Sequence, residues 1–163
     1  MRLTRTSMVW AAAVVAAMSL GFVVAQQQAA APSPITVVEL KAMGFWPASN
    51  WRITYHSDLS AERWGKIEPR AGTIKGTLEP ESWAHLVTFV EGSGFDQLKS
   101  AYSPDSEVSD AQHLVVSVTR GATTASVDCY AGAGPTEFWA LQMVLRGMAD
   151  AVTWKRTYGG NDK

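Results

Sequence analysis

Between His113 and Ala131 the chain alternates apolar and polar side chains residue by residue, turns, and alternates again. Leu114, Val116 and Val118 share one parity, and Ala125, Val127 and Cys129 supply the matching set beyond the turn. A period of two puts each set on one face of a strand, so 113–120 and 123–131 read as a hairpin with one apolar and one polar side. Gly121 at the first turn position suits a type II′ turn, and moving the loop back to Arg120–Gly121 keeps the same faces together. A hairpin of this kind needs an apolar cover, and that need restricts the fold more than any other feature of the chain.

Two segments have the pattern of such a cover. Pro80 suits a first helical position, and Trp83, Leu86, Val87 and Val90 follow as one stripe before Gly92-Ser93-Gly94 ends it. Phe95 and Leu98 then form a short extra turn. A second helix is expected from about Pro135 to Thr153, with Phe138, Leu141, Leu145, Met148 and Val152 inward, Trp139 and Val144 flanking, and Gln142, Arg146 and Asp150 in water. The remaining strands are Ile35 to Leu40, whose face is ambiguous; Trp51, Ile53 and Tyr55 alternating with Arg52, Thr54 and His56; a weaker Glu62 to Glu68; and Thr73 to Leu78 with Ile74 and Leu78 inward. Ser103 to Gln112 is polar, acidic and contains Pro104, so it reads as a loop. The order of strands, helix, strands, helix has no βαβ rhythm. The expectation is one α+β domain over 35–155, two-layered, with an antiparallel sheet and two α-helices packed on one face.

The chain opens with an address. Arg2 and Arg5 precede an apolar run from Met8 to Ala25 that closes on Val23-Val24-Ala25, the pattern a bacterial secretory signal peptidase reads. Cleavage is expected after Ala25; the alternative is an uncleaved anchor, since the run could just span a bilayer. Residues 26–34 read as a linker and 156–163 as a flexible tail. Removing 25 of the 163 residues leaves 138 and takes two of the fourteen basic residues, moving the formal charge from −1 to −3. No Cys lies near the site for lipid attachment, and no later stretch is long and apolar enough to span a membrane. The expected product is soluble and periplasmic or extracellular.

With 47% hydrophobic and 18% charged residues, the chain is neither a disordered tail nor a fibre. The near-neutral charge argues against a nucleic-acid partner. Cys129 is the one cysteine, so no internal disulfide forms, and its parity places it on the apolar strand face as a small buried thiol. No dinucleotide fingerprint implies a cofactor, and none of the three histidines has a metal-ligand spacing. His85 follows Glu81 by one helical turn, an ordinary solvated pair. His56 and His113 face outward, and His113 falls directly or diagonally opposite Asp128, depending on the turn register. That pair reads as a cross-strand surface contact, or as the weak candidate His113–Asp128 dyad of a small exported hydrolase. No Gly-x-Ser-x-Gly elbow accompanies it, and Ser117, on the same face, lacks the donors of an oxyanion hole. Asp105, Glu107 and Asp110 match no calcium-loop spacing.

Six tryptophans remain after Ala25, at 46, 51, 64, 83, 139 and 154; Trp51, Trp83 and Trp139 read as core, while Trp46 and Trp64 sit in or near loops, Trp46 beside Phe45. Exposed aromatics suit a sugar or protein partner, or they close the end of the core. The candidate binding surface is therefore the helix-free sheet face, with Arg52, Thr54, His56, Lys75, His113, Asp128 and Tyr130, and with Phe45 and Trp46 at its edge. The expected role is a non-enzymatic module that binds a protein or a cell-envelope component.

Several of these motifs occur together. Ile35-Thr-Val-Val-Glu, Gly-x-x-Pro at 44–47, Trp51-Arg-Ile-Thr-Tyr, Gly72-Thr-Ile-Lys-Gly-Thr-Leu-Glu-Pro-Glu, Gly94-Phe95-x-x-Leu98 and Gly132-Ala-Gly-Pro-Thr-Glu resemble a secreted bacterial family known as domain of unknown function 6438. The resemblance covers 35–155 and implies fold and export but no activity. Many members carry Cys-x-x-x-Cys-Pro in the first loop; here Ala42 and Trp46 stand before Pro47, so that feature is absent.

Overall fold

The computed structural model describes residues 33–46, 49–67 and 70–155. The expected leader, the linker up to residue 32, Pro47, Glu68 and the 156–163 tail lie outside the described residues.

The described strands are β1 (Ile35–Met43), β2 (Trp51–His56), β3 (Ser60–Ile67), β4 (Arg70–Thr77), β5 (Ala101–Tyr102), β6 (His113–Arg120), β7 (Thr123–Tyr130) and β8 (Thr153–Trp154). They form one sheet in the order β5-β7-β6-β1-β2-β3-β4-β8. Helices α1 (Pro80–Gly92) and α2 (Thr136–Gly147) complete the α+β fold. All neighbouring strand pairs are antiparallel except one: β5 runs parallel to β7, pairing Ala101 with Asp128 and Tyr102 with Cys129. The sheet is thus mixed, not antiparallel throughout as expected. Two residues carry no readable period, and the chain returns parallel to β5 only after the 103–112 segment and β6, which lie between β5 and β7 in sequence.

The β6–β7 hairpin forms as its alternation predicts. Arg120 pairs with Thr123, Gly121 takes φ +57° and Ala122 keeps a negative φ, the combination a type II′ turn needs. The face of β1 is settled by a bulge. Its pairing with β6 shifts between Ile35 and Val37, so Ile35 points inward along with Val38, Leu40 and Ala42 although the spacing is odd.

These inward side chains meet the stripes of both helices in one core. Val38, Leu40, Tyr55, Val116 and Val118 from the sheet are at most 1% exposed, as are Leu86 and Val90 of α1 and Phe138, Leu141 and Leu145 of α2. Burying each such side chain stabilises the fold by roughly 1.5–3 kcal/mol relative to leaving it wet. The last helix is shorter than its pattern suggests. It ends at Gly147, passes into a 3₁₀ turn over Met148–Ala151, and leaves Thr153 and Trp154 extended as β8. Gly76 admits that edge strand, because a Cβ there would lie 2.3 Å from Val152 Cγ1 and 2.9 Å from the Trp154 ring. One α2 residue expected in water is not there. Gln142 is only 3% exposed, whereas Arg146 and Asp150 are exposed as expected, the Arg146 guanidinium lying over the Trp51 ring at 4.8 Å. Tertiary packing around α2, not the helix's own periodicity, decides the position of Gln142.

Tyr55 joins sheet and helix. Its buried hydroxyl donates to the Leu145 carbonyl at 2.6 Å. That carbonyl belongs to the last turn of α2, where intrahelical donors run out. Burial pushes the phenol well above its ordinary pKa, so the hydroxyl remains the neutral donor the contact needs. Tyr55→Phe keeps the ring but leaves the carbonyl without this donor, and should lower stability by about 1–2 kcal/mol in equilibrium urea unfolding. An unchanged unfolding midpoint would show that the bond is energetically idle.

Candidate functional site

The strand register gathers the outward side chains into rows that cross the sheet. One row runs Tyr130, His113, Met43; the next runs Asp128, Val115, Lys41, Arg52, Trp64, Thr73. A third runs Ser126, Ser117, Glu39, Thr54, Glu62, Lys75, and a fourth holds Thr124, Thr119, Val37 and His56. The surface expected from the sequence therefore separates. His113, Asp128 and Tyr130 come together at one corner, Arg52 lies at the centre, and Lys75 sits toward the β4 edge. His56 is three rows from His113, on the order of 20 Å along the strands.

At the corner, Tyr130 faces His113 directly and Asp128 is the diagonal neighbour. His113 Nδ1 is 2.9 and 3.1 Å from the two Asp128 carboxylate oxygens. A carboxylate only accepts, so Nδ1 carries the hydrogen and Nε2 is left to receive a proton. The His113 and Tyr130 rings are 4.6 Å apart and tilted by 39°. The Tyr130 hydroxyl donates to the Val108 carbonyl and accepts from the Ala111 N–H at 3.4 Å, which pins the 103–112 loop beside the corner. Between this loop and Tyr130 lies an open recess of about 510 Å³ lined by residues 103–109. Gln112 Nε2 in turn donates to the Ser49 carbonyl, tying the loop to the aromatic turn after β1.

That turn carries the most exposed aromatic side chains described, Phe45 at 64% and Trp46 at 69%, their rings edge to face at 5.2 Å. Backbone in the left-handed region occurs nearby. Asp110 has φ +58°, and Ala131 has φ +50° beside Gly132 at +80°. A non-glycine there costs roughly 1–2 kcal/mol, and such costs concentrate at functional sites.

Over the rest of the face, polar groups are locked to one another. Arg52 reaches Glu39 at 3.7 Å, and Lys75 reaches Glu62 at 3.4 Å. Thr54 donates to Glu39 at 3.3 Å, and the hydroxyls of Ser117 and Ser126 lie 2.8 Å apart. Ser117 is thus engaged, four residues along the strand from His113. Among the described residues no cluster of three or more His, Cys, Asp or Glu side chains is placed to hold a metal ion.

Two residues of this face were not legible in the sequence. Trp64 lies not in a loop but in mid-β3 on the outward face, between Arg52 and Thr73, and is 43% exposed. The opposite parity of β3 holds Ala61, Arg63 and Gly65, too poor in apolar groups to announce which side faces the core. Glu39, the partner of Arg52 and Thr54, was hidden in the apolar-looking run of β1.

Cys129 occupies the expected apolar face and is 1% exposed. Burial, reinforced by the Asp128 charge, pushes its thiol from 9.0 up to about 11. The folded state thus holds the neutral thiol more tightly than the unfolded chain does. Its stabilising effect is complete below about pH 9 and is lost as the pH rises through about 11. Urea midpoints should fall over that window more steeply for the parent than for Cys129→Ala, and equal slopes would contradict a buried neutral thiol.

No protein-family model matches the chain, and no curated protein sequence matches it.

Proposed function

We propose that the protein is a non-enzymatic binding module exported by its leader and cleaved after Ala25, and that its contact surface is the sheet face opposite the helices. In this reading the domain has two layers, with α1 and α2 on one face and the outward rows on the other. The resemblance to the secreted family over 35–155 agrees with it. Among the described residues no helix is long and apolar enough to cross a membrane.

The observation that carries the reading is the corner where Phe45 and Trp46 stand more than three-fifths exposed beside Met43, itself 38% exposed, in the row of His113 and Tyr130. Leaving two large rings in water has no folding benefit. Rings of this kind give contact area at low entropic cost, and they dominate interfaces when a partner buries them. The partner is a protein or a cell-envelope component. Replacing Phe45 and Trp46 together by Ala should leave the melting temperature within a few degrees while reducing retention of envelope material on the immobilised protein by roughly tenfold or more. Undiminished retention would remove the corner from the contact surface.

A second reading, hydrolysis with His113 as general base, has the His113–Asp128 contact in its favour. It requires that His113→Ala abolish turnover in a panel of ester, amide and glycoside substrates without changing stability by more than about 1 kcal/mol, the ceiling for an exposed pair. Turnover that survives the substitution, or a parent protein that turns over none of the panel, would leave the binding module alone.

A further inference from the structure

We propose that the centre of the outward face is a platform for an uncharged polysaccharide, with the Trp64 indole stacking on one sugar ring; this rests on the reading of that face as the binding surface. Trp64 holds a mid-strand position with strands on both sides, yet it is 43% exposed. Its directly paired neighbours are polar: Arg52 on β2 and Thr73 on β4, with Glu62 two residues before it on the same face. A protein contact draws its energy from clustered apolar side chains with a polar rim. A lone indole ringed by guanidinium, carboxylate and hydroxyl groups instead matches a pyranose, which offers one flat C–H face and a rim of hydroxyls.

Charge points the same way. Arg52 turns toward Glu39 and Lys75 toward Glu62, leaving the indole uncovered and each ion pair neutral as a unit. Among the side chains described on this face, the cations Lys41, Arg52 and Lys75 stand with the carboxylates Glu39, Glu62 and Asp128. A polyanion or polycation gains nothing from such a face, whereas a neutral chain of hydroxyls can both donate to its carboxylates and accept from its cations.

The test uses the purified protein, its Trp64→Ala and Trp64→Tyr variants, and the Phe45→Ala/Trp46→Ala double variant. Each is titrated calorimetrically with hexamers of N-acetylglucosamine and of glucose, and with a sulfated oligosaccharide of similar length. The expected result is binding of an uncharged hexamer, weakened roughly tenfold or more by Trp64→Ala and largely kept by Trp64→Tyr, with unchanged circular dichroism. The proposal is overturned if neither uncharged hexamer binds at millimolar concentration, if the sulfated chain binds better, or if Trp64→Ala binds as the parent does. Binding lost only in the Phe45/Trp46 variant would also overturn it, while leaving the outward face standing as a binding surface. Absence of any hexamer binding and of any retention dependent on Phe45 and Trp46 would overturn both.

Discussion

The inward side of the sheet carries Val38, Leu40, Ile53, Tyr55, Val116 and Val118, none more than 5% exposed, and nothing but a second set of apolar side chains can keep water off them. That obligation organises the molecule. It explains why α1 and α2 each present one apolar stripe, and why the two stripes join the sheet in a single core. It also explains why the Tyr55 hydroxyl, sent into this layer, donates to the Leu145 carbonyl in the last turn of α2 rather than remaining unpaired. Hydrophobic burial supplies the attraction without direction. The Tyr55–Leu145 bond adds direction, setting the last turn of α2 over β2.

The outward side follows the opposite logic. Its polar side chains form cross-strand pairs, carboxylate to guanidinium, ammonium or imidazole and hydroxyl to hydroxyl, each worth only a fraction of a kcal/mol, about 0.2–1. Their combined effect is a face that is nearly neutral and already arranged. Against that background the aromatic side chains stand out. Phe45 and Trp46 at the corner and Trp64 at the centre are exposed where burial would have been favourable, and both functional proposals rest on that contrast.

Legibility in the sequence tracked how strongly each segment is amphipathic. The β6–β7 hairpin, the alternating β2 and the start of α1 at Pro80 were readable because each has one clearly apolar face. The pairing of His113 with Asp128 was readable as a choice between direct and diagonal, and the Arg120–Thr123 turn selects the diagonal. Strand β3 concealed Trp64 because Arg63 and Gly65 occupy its inward positions. The two-residue strands β5 and β8 are too short to carry a period, and Gln142 follows helical spacing into a position that only tertiary packing makes buried.

The sequence by itself determined the class of the fold, the identity of most core residues, the buried neutral setting of Cys129 and the parity that sends Arg52, His56, Lys75, His113, Asp128 and Tyr130 outward. Each of these depends on neighbours within about one turn or one hairpin, where side-chain direction follows from the backbone period. The tertiary structure decided which strands lie side by side, and hence that Glu39 meets Arg52, that Trp64 sits among polar groups, that Tyr55 reaches Leu145, and that His56 and His113 lie far apart. Those contacts join residues distant in the chain, and no local period records strand order. They follow from joining one sheet and two helices in a single core at the least exposure of apolar surface.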